Sequence, residues 1–272
     1  MLSSFASRFY FGASSPVGGG GINPIDVTGL VLWLDASDVS TIILDGMTSN
    51  ILTWSDKSES GFTATTGVGT VVYNPANGGG AEFNNSTMFT GTNIGFQNGC
   101  IPNTGAGGRT LIAVVSNIDS STPIPWPGND TRFICQYGSE DTYKTYGIAC
   151  RVGNGVGDGQ AVYGANYFQS PVFATTESST HIPPKVISCQ YNGTVDLWRE
   201  KNQVIGSNTV ALDTGGNFPN IFSLTIGARM ARLDAFQSAT MTLHELIAYN
   251  NAISESDWNG VGDYLISKWG VL

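Results

Sequence analysis

Chemistry in this chain would have to come from a short roll of side chains. Retaining hydrolysis of a glycoside needs two carboxylates about 5–5.5 Å apart in one cleft. The nearest acidic neighbours are Asp35 with Asp38, Asp56 with Glu59, Glu140 with Asp141, and Asp196 with Glu200. The second and third fall in turns, and the last is flanked by Arg199 and Lys201, so they read as solvated surface pairs. Nucleophilic hydrolysis would have to use His181 or His244, and the chain has no Gly-x-Ser-x-Gly sequence. His244 sits between Leu243 and Glu245 in an expected strand and reads as a hydrogen-bonded structural residue; His181, before Pro183 and Pro184, is assigned no role. Cys100, Cys135, Cys150 and Cys189 lack C-x-x-C spacing, and with two histidines no metal site is expected. They read as small buried apolar residues, with a Cys135–Cys150 disulfide left open if their strands are neighbours.

Glycan binding asks for less: an exposed aromatic face to stack on a sugar, and amide or carboxylate groups to read its hydroxyls. Two loops offer this. Residues 123–130 hold Trp126 in a proline frame beside Asn129 and Asp130, and residues 163–168 bring Tyr163, Asn166 and Tyr167. The competing role for these aromatics is to cover a sheet edge or to meet a neighbouring subunit.

The elements that must position such loops are strands. The clearest runs are 30–34, 110–116, 132–136, 146–152, 185–191, 194–200, 222–228 and 241–249. Phe222, Leu224 and Ile226 alternate with Ser223 and Thr225, as in a half-buried antiparallel strand. The run 110–115 is apolar on both faces and should be a central strand covered on both sides, or one pressed against a loop. Asn192-Gly193 between two runs predicts a tight hairpin. The one convincing helix is terminal: Ser254 can cap it with Asp257 in a capping-box arrangement, and Trp258, Val261, Leu265 and Trp269 form one apolar stripe. Segments 60–108, 117–130, 153–183 and 202–220 read as long loops.

Composition agrees. Of 272 residues 35 are Gly and 12% are charged, about half the roughly 25% of ordinary soluble domains, which excludes helical bundles and disordered chains. The 41% hydrophobic fraction supports one large core. A net charge of -9, with scattered basic residues, argues against nucleic acid and anionic membrane surfaces as partners. No apolar run approaches a membrane span. Residues 1–28 differ from the body: Phe5, Arg8, Phe9, Tyr10 and Phe11 precede the run Gly18–Gly21, which suggests an anchoring arm on a glycine hinge, without the features of an export signal. The body is then one domain, 29–272.

The opening 29–38 (Gly-Leu-Val-Leu-Trp-Leu-Asp-Ala-Ser-Asp), then Trp54-Ser55-Asp56-Lys57-Ser58 and Gly61, resembles the start of a concanavalin A-like, laminin-G-type jelly roll. Glu82-Phe83, Ile226 to Arg229, Leu243 to Tyr249, Ala252 to Glu255 and the closing Tyr264-Leu265, Lys268-Trp269-Gly270 match as well. The resemblance implies an all-β sandwich of two antiparallel sheets, with one C-terminal helix and, here, an extended N-terminal arm. Such domains occur in bacterial surface proteins and phage particles. Glycosidases of this fold use a pattern such as Glu-x-Asp-x-x-Glu, which does not occur in this chain. Related domains often hold a structural calcium ion, for which residues 56–61 are the candidate loop.

The expectation is a non-enzymatic structural protein of a virion, a decoration, fibre or other appendage subunit. It would be anchored by its arm, self-associating, and in contact with other virion subunits. The alternative is a carbohydrate-binding adhesin or lectin module, extracellular or at a cell surface, that recognises a host or matrix polysaccharide.

Overall fold

The computed structural model describes residues 21–83, 88–91, 108–119, 131–139, 144–151, 162–163, 174–175, 180–181, 183–209, 223–227 and 240–271. Its strands are β1 (Leu30–Asp35), β2 (Ile42–Leu44), β3 (Ile51–Ser55), β4 (Thr63–Val68), β5 (Val72–Asn74), β6 (Gly80–Phe83) and β7 (Met88–Gly91). Then come β8 (Arg109–Asp119), β9 (Thr131–Ser139), β10 (Lys144–Arg151), β11 (Val162–Tyr163), β12 (Ala174–Thr175) and β13 (Thr180–His181). The series ends with β14 (Lys185–Tyr191), β15 (Val195–Glu200), β16 (Gln203–Thr209), β17 (Ser223–Ile226), β18 (Thr240–Tyr249) and helix α1 (Glu255–Trp269).

All but β11 and β12, which pair with each other, form an antiparallel two-sheet sandwich. One sheet runs β16-β15-β14-β8-β18-β6-β5, with β1 on β18 and β13 on β8; the other runs β10-β9-β17-β7-β4-β3-β2. The long apolar strand β8 explains the arrangement. Its Leu111, Ala113 and Val115 enter the core between the sheets, with Leu32, Leu34, Trp54, Ile134, Leu224 and Leu246. Its Ile112 and Val114 enter a second core, with Trp33, Ile247 and the helical residues Trp258, Val261, Leu265 and Trp269. A strand apolar on both faces needs cover on both, and α1 supplies the outer one.

The helix begins as the sequence predicts. Ser254 Oγ accepts from Asp257 N–H at 3.1 Å and donates to the Asp257 carboxylate at 2.7 Å. The carboxylate thus meets the cap hydroxyl and leaves the Ser254 amide alone. Gly270, at φ 62°, ends the helix in the left-handed conformation that glycine takes without penalty. Residues 22–28, which composition assigns to the arm, pack on the body. Ile22 N–H bonds Gly260 O at 2.8 Å, Tyr249 hydroxyl donates to Pro24 O at 3.2 Å, and Val27 is buried. Gly260 admits this close crossing, because a Cβ there would collide with Ile22.

Several expectations need correction. The segments 60–108, 153–183 and 202–220 are not all loop, since they contain β4 to β7, β11 to β13 and β16. Thr225 is buried, so β17 is not half-exposed. In the β14–β15 hairpin only Gly193 has positive φ (101°), and Asn192 instead accepts from the amides of Thr194 and Val195 at 3.0 and 2.8 Å. Cys135 is a free thiol: β9 and β10 are neighbours, yet the register sets Cys135 opposite Ile148 and Cys150 opposite Arg132.

Candidate functional site

The residues quoted for the resemblance lie more than 200 positions apart in the chain, and they converge on the outer face of the larger sheet. Asp35 closes β1 directly opposite Glu245 of β18. Like charges in such a pair repel unless a cation separates them. Two lysines supply it. From the last turn of α1, Lys268 Nζ reaches Asp35 Oδ1 at 2.7 Å and Glu245 Oε2 at 2.8 Å. From the turn after β3, Lys57 Nζ reaches Asp35 Oδ2 at 2.9 Å and Asp38 Oδ2 at 3.1 Å, and it lies 4.3 Å over the Trp33 ring.

The remaining carboxylate oxygens are met by neutral donors. Trp33 Nε1 donates to Glu245 Oε1 at 2.6 Å, and Trp269 Nε1 to Glu245 Oε2 at 2.7 Å. Ser37 N–H and hydroxyl donate to Asp35 Oδ1 at 3.0 and 2.6 Å. Asp35 is 3% exposed and Glu245 fully buried. Burial pushes Asp35 towards its neutral form, but Lys268 and the hydrogen bonds from Ser37 and Lys57 outweigh it and hold the carboxyl below its usual range. Glu245 goes the other way: burial first, then the Asp35 charge, raise it above the usual range against Lys268 and Trp269. Burial opposes the Lys268 charge, yet Glu245 and Asp35 more than offset it and the ammonium is held more tightly than usual.

A β-bulge makes this possible. Leu243 pairs with Val115 and Glu245 with the adjacent Val114, so β18 carries one extra residue, His244. His244 and Glu245 then both meet Trp269 of the helix. His244 Nδ1 donates to Gly79 O at 2.7 Å, since a carbonyl can only accept, and Nε2 accepts from the Ser116 hydroxyl at 2.7 Å. Burial, against the Gly79 bond, keeps the ring below its usual pKa and neutral. A serine hydroxyl on a histidine nitrogen is the contact of a nucleophile and its base. Here both residues are buried and the third partner is a backbone carbonyl, so the contact ties β8, β18 and the Gly79 turn together.

The proposed calcium loop does not fit a cation. Asp56 already accepts from Trp33 N–H (2.6 Å), Ser58 N–H (2.9 Å), Ser58 hydroxyl (2.5 Å) and Ser60 hydroxyl (2.6 Å), and Lys57 beside it brings a positive charge. Among the described residues no three His, Cys, Asp or Glu are grouped to hold a metal. The acidic neighbours on β15 also differ from expectation. Glu200 bonds Lys185 Nζ at 3.0 Å, and Arg199 is buried, 4.0 Å over the Trp258 ring and 2.8 Å from Asn259 Oδ1.

Of the residues expected to bind a glycan, Trp126, Asn129, Asp130, Asn166 and Tyr167 lie outside the described residues, as do Phe5, Arg8, Phe9, Tyr10 and Phe11 of the arm. Tyr163 is on β11, paired with Ala174 of β12. The strands from which the two aromatic loops spring are described. Asp119, before segment 120–130, pairs with Thr180, and Thr131, after it, pairs with Arg151. The loop of Trp126 and the stretch 152–179 that contains Tyr163 to Tyr167 are therefore rooted in the same two strand pairs.

No family model and no curated protein sequence matches the chain. Solved structures do. The binding domain of botulinum neurotoxin serotype D/C superposes with a TM-score of 0.60 at 12% identity, over 89% of this chain and 53% of that one. The serotype G binding domain gives 0.59 at 12%, over 86% and 50%. A Trypanosoma rangeli sialidase in complex with sialic acid gives 0.56 at 17%, over 86% and 32%. The likeness is one of fold. This chain spans about half of the toxin domains and a third of the sialidase.

Proposed function

We propose that this chain is a non-enzymatic carbohydrate-binding module, which binds a glycan through the segments 120–130 and 152–179. The observation that carries this reading is the common root of the two segments: the strand ends on either side of 120–130 pair with the strand ends on either side of 152–179. The likeness to toxin binding domains supports a binding role. The net charge of -9 repels anionic sugars, so the ligand class is a neutral polysaccharide of a host surface or matrix. A glycan array probed with the wild type and with Trp126→Ala tests this. Binding of neutral glycans by the wild type, lost in the variant, is the expected result; a wild type that binds nothing overturns it.

One observation favours a second reading, a subunit repeated in a virion appendage and anchored through Phe5, Arg8, Phe9, Tyr10 and Phe11. On the edge strand β2, its turn into β3 and β3 itself, Ile43, Leu44, Met47 and Leu52 are exposed. Exposed apolar side chains at a sheet edge favour association with another copy. Light scattering should then report a homo-oligomer that Ile43→Lys dissociates, and a monomer across the working concentration range removes this reading.

A further inference from the structure

We propose that residues 1–20 fold back on their own body and cover the apolar patch of the β2–β3 hairpin with Phe5, Phe9, Tyr10 and Phe11. Among the described residues this patch gathers most of the large apolar side chains left in solvent. Val39, Ile43, Leu44, Met47 and Leu52 are exposed within the stretch 39–52, and elsewhere only Ile25 and Val204 are. A contiguous patch of that kind marks a surface with an occupant.

The path of the chain points to the occupant. Val27 lies in the outer core, and the Pro24 carbonyl accepts from the Tyr249 hydroxyl. From there towards residue 21 the backbone runs along α1. Ile22 N–H bonds Gly260 O at 2.8 Å, and Gly21 lies so close to Tyr264, one turn further on, that a Cβ there would meet the Tyr264 backbone. Residues 1–20 are therefore attached where the chain heads for the C-terminal end of the helix. At that end Lys268 Nζ lies 5.6 Å from the Tyr264 ring and 2.7 Å from Asp35. Lys57 joins Asp35, at 2.9 Å, to Asp38, at 3.1 Å, and Asp38 precedes Val39. The attachment point and the near end of the patch thus flank one ion-pair seam.

Reach and chemistry agree with this. Extended chain places Phe11 up to about 33 Å from Gly21 and Phe5 up to about 53 Å, enough to pass the seam and follow β2. The aromatic rings suit aliphatic side chains and the Met47 thioether. Arg8, the one basic residue among them, has a counter-charge inside the patch: Asp45 Oδ1 accepts from Met47 N–H at 3.1 Å, and Oδ2 is left for a guanidinium. This cover goes beyond the glycan reading and does not depend on it. It also gives the β2 edge a different occupant from the second copy of the virion reading.

Hydroxyl-radical oxidation of Met47 in the full chain, followed by peptide mass spectrometry at several protein concentrations, tests the cover. Met47 is 95% exposed on the body, so uncovered it reacts as fast as in a free peptide of residues 39–52. The wild type should react about tenfold more slowly at every concentration, the protection given by a segment closed about 90% of the time. Phe9→Ser with Phe11→Ser should abolish the protection, and Arg8→Asp should weaken it. A wild-type Met47 that reacts at the free-peptide rate overturns the proposal. So does protection that grows with concentration, which puts a second copy on the patch, and so does protection that survives loss of both phenylalanines. The wild-type rates decide the first two outcomes even if a variant fails to fold.

Discussion

His244 and Glu245 are consecutive in β18, yet both side chains meet Trp269: the His244 ring centroid lies 4.9 Å from that of Trp269, and Glu245 accepts from its indole N–H at 2.7 Å. Residues one apart on a regular strand face opposite ways. The bulge abolishes that alternation at one point, and there the sheet gains a buried polar seam, with a neutral histidine on one side and a carboxylate under a lysine on the other.

The lysine should be indispensable to this seam. Lys268→Met leaves Asp35 and Glu245 opposed and buried with one cation fewer, and should cost about 3–5 kcal/mol, the scale of a broken buried ion pair. Urea unfolding of wild type and variant measures the difference. A loss no larger than that of a surface pair would show that the seam is not held by charge.

Stability should fall on mild acidification, and His244 sets the sign. Its folded pKa is below the ordinary 6.5, so the unfolded chain binds the proton more readily. Stability is therefore full above about 6.5 and declines as pH drops through the window towards the folded value. Glu245 acts oppositely: its folded pKa is above 4.5, so it disfavours folding as pH rises past that value. Asp35, held below 3.8, adds a further loss only in stronger acid. Urea midpoints at pH 8 and pH 5 should thus separate more for the wild type than for His244→Gln, and equal separations would remove His244 as the cause.

The Trp258 anchor sits at the heart of the outer core. Its ring carries Arg199 at 4.0 Å and its Nε1 donates to Ser188 Oγ at 2.8 Å. Trp258→Ala should cost about 3–5 kcal/mol, whereas Met47→Ala, at an exposed position, should change stability by less than about 0.5 kcal/mol. Thermal or chemical unfolding of the pair checks whether α1 is held by this contact.

Much of the scaffold is legible in the chain because its central strands are apolar by necessity. The run 185–191 matches β14 residue for residue, and Ser254 and the Trp258–Trp269 stripe mark α1 at both ends. Strands that carry little apolar pattern escape notice even inside a sheet: Thr-Ala-Thr-Thr-Gly-Val of β4 reads as loop until β3 and β7 flank it. The charged seam is hidden for two further reasons. Trp33 and Glu245 are 212 residues apart, and the bulge reverses the facing that simple alternation assigns to Glu245. What the chain does show is that Asp35, Lys57 and Lys268 all lie in the segments that resemble the jelly-roll family.

Cys135 should be chemically silent in the folded protein. Burial pushes its thiol up to about 12, with the Ile148 backbone bond opposing. Thiolate is the reactive form, so peptide-level alkylation at pH 8 should label Cys135 only after unfolding. Labelling of Cys135 in the native state would place it at a surface.

The binding account is tested most directly by hydrogen exchange of the full chain, alone and with the neutral glycan that the array selects. Protection confined to peptides covering 120–130 and 152–179 is the predicted result. Protection centred instead on the exposed β2–β3 turn, with those loops unchanged, would contradict it.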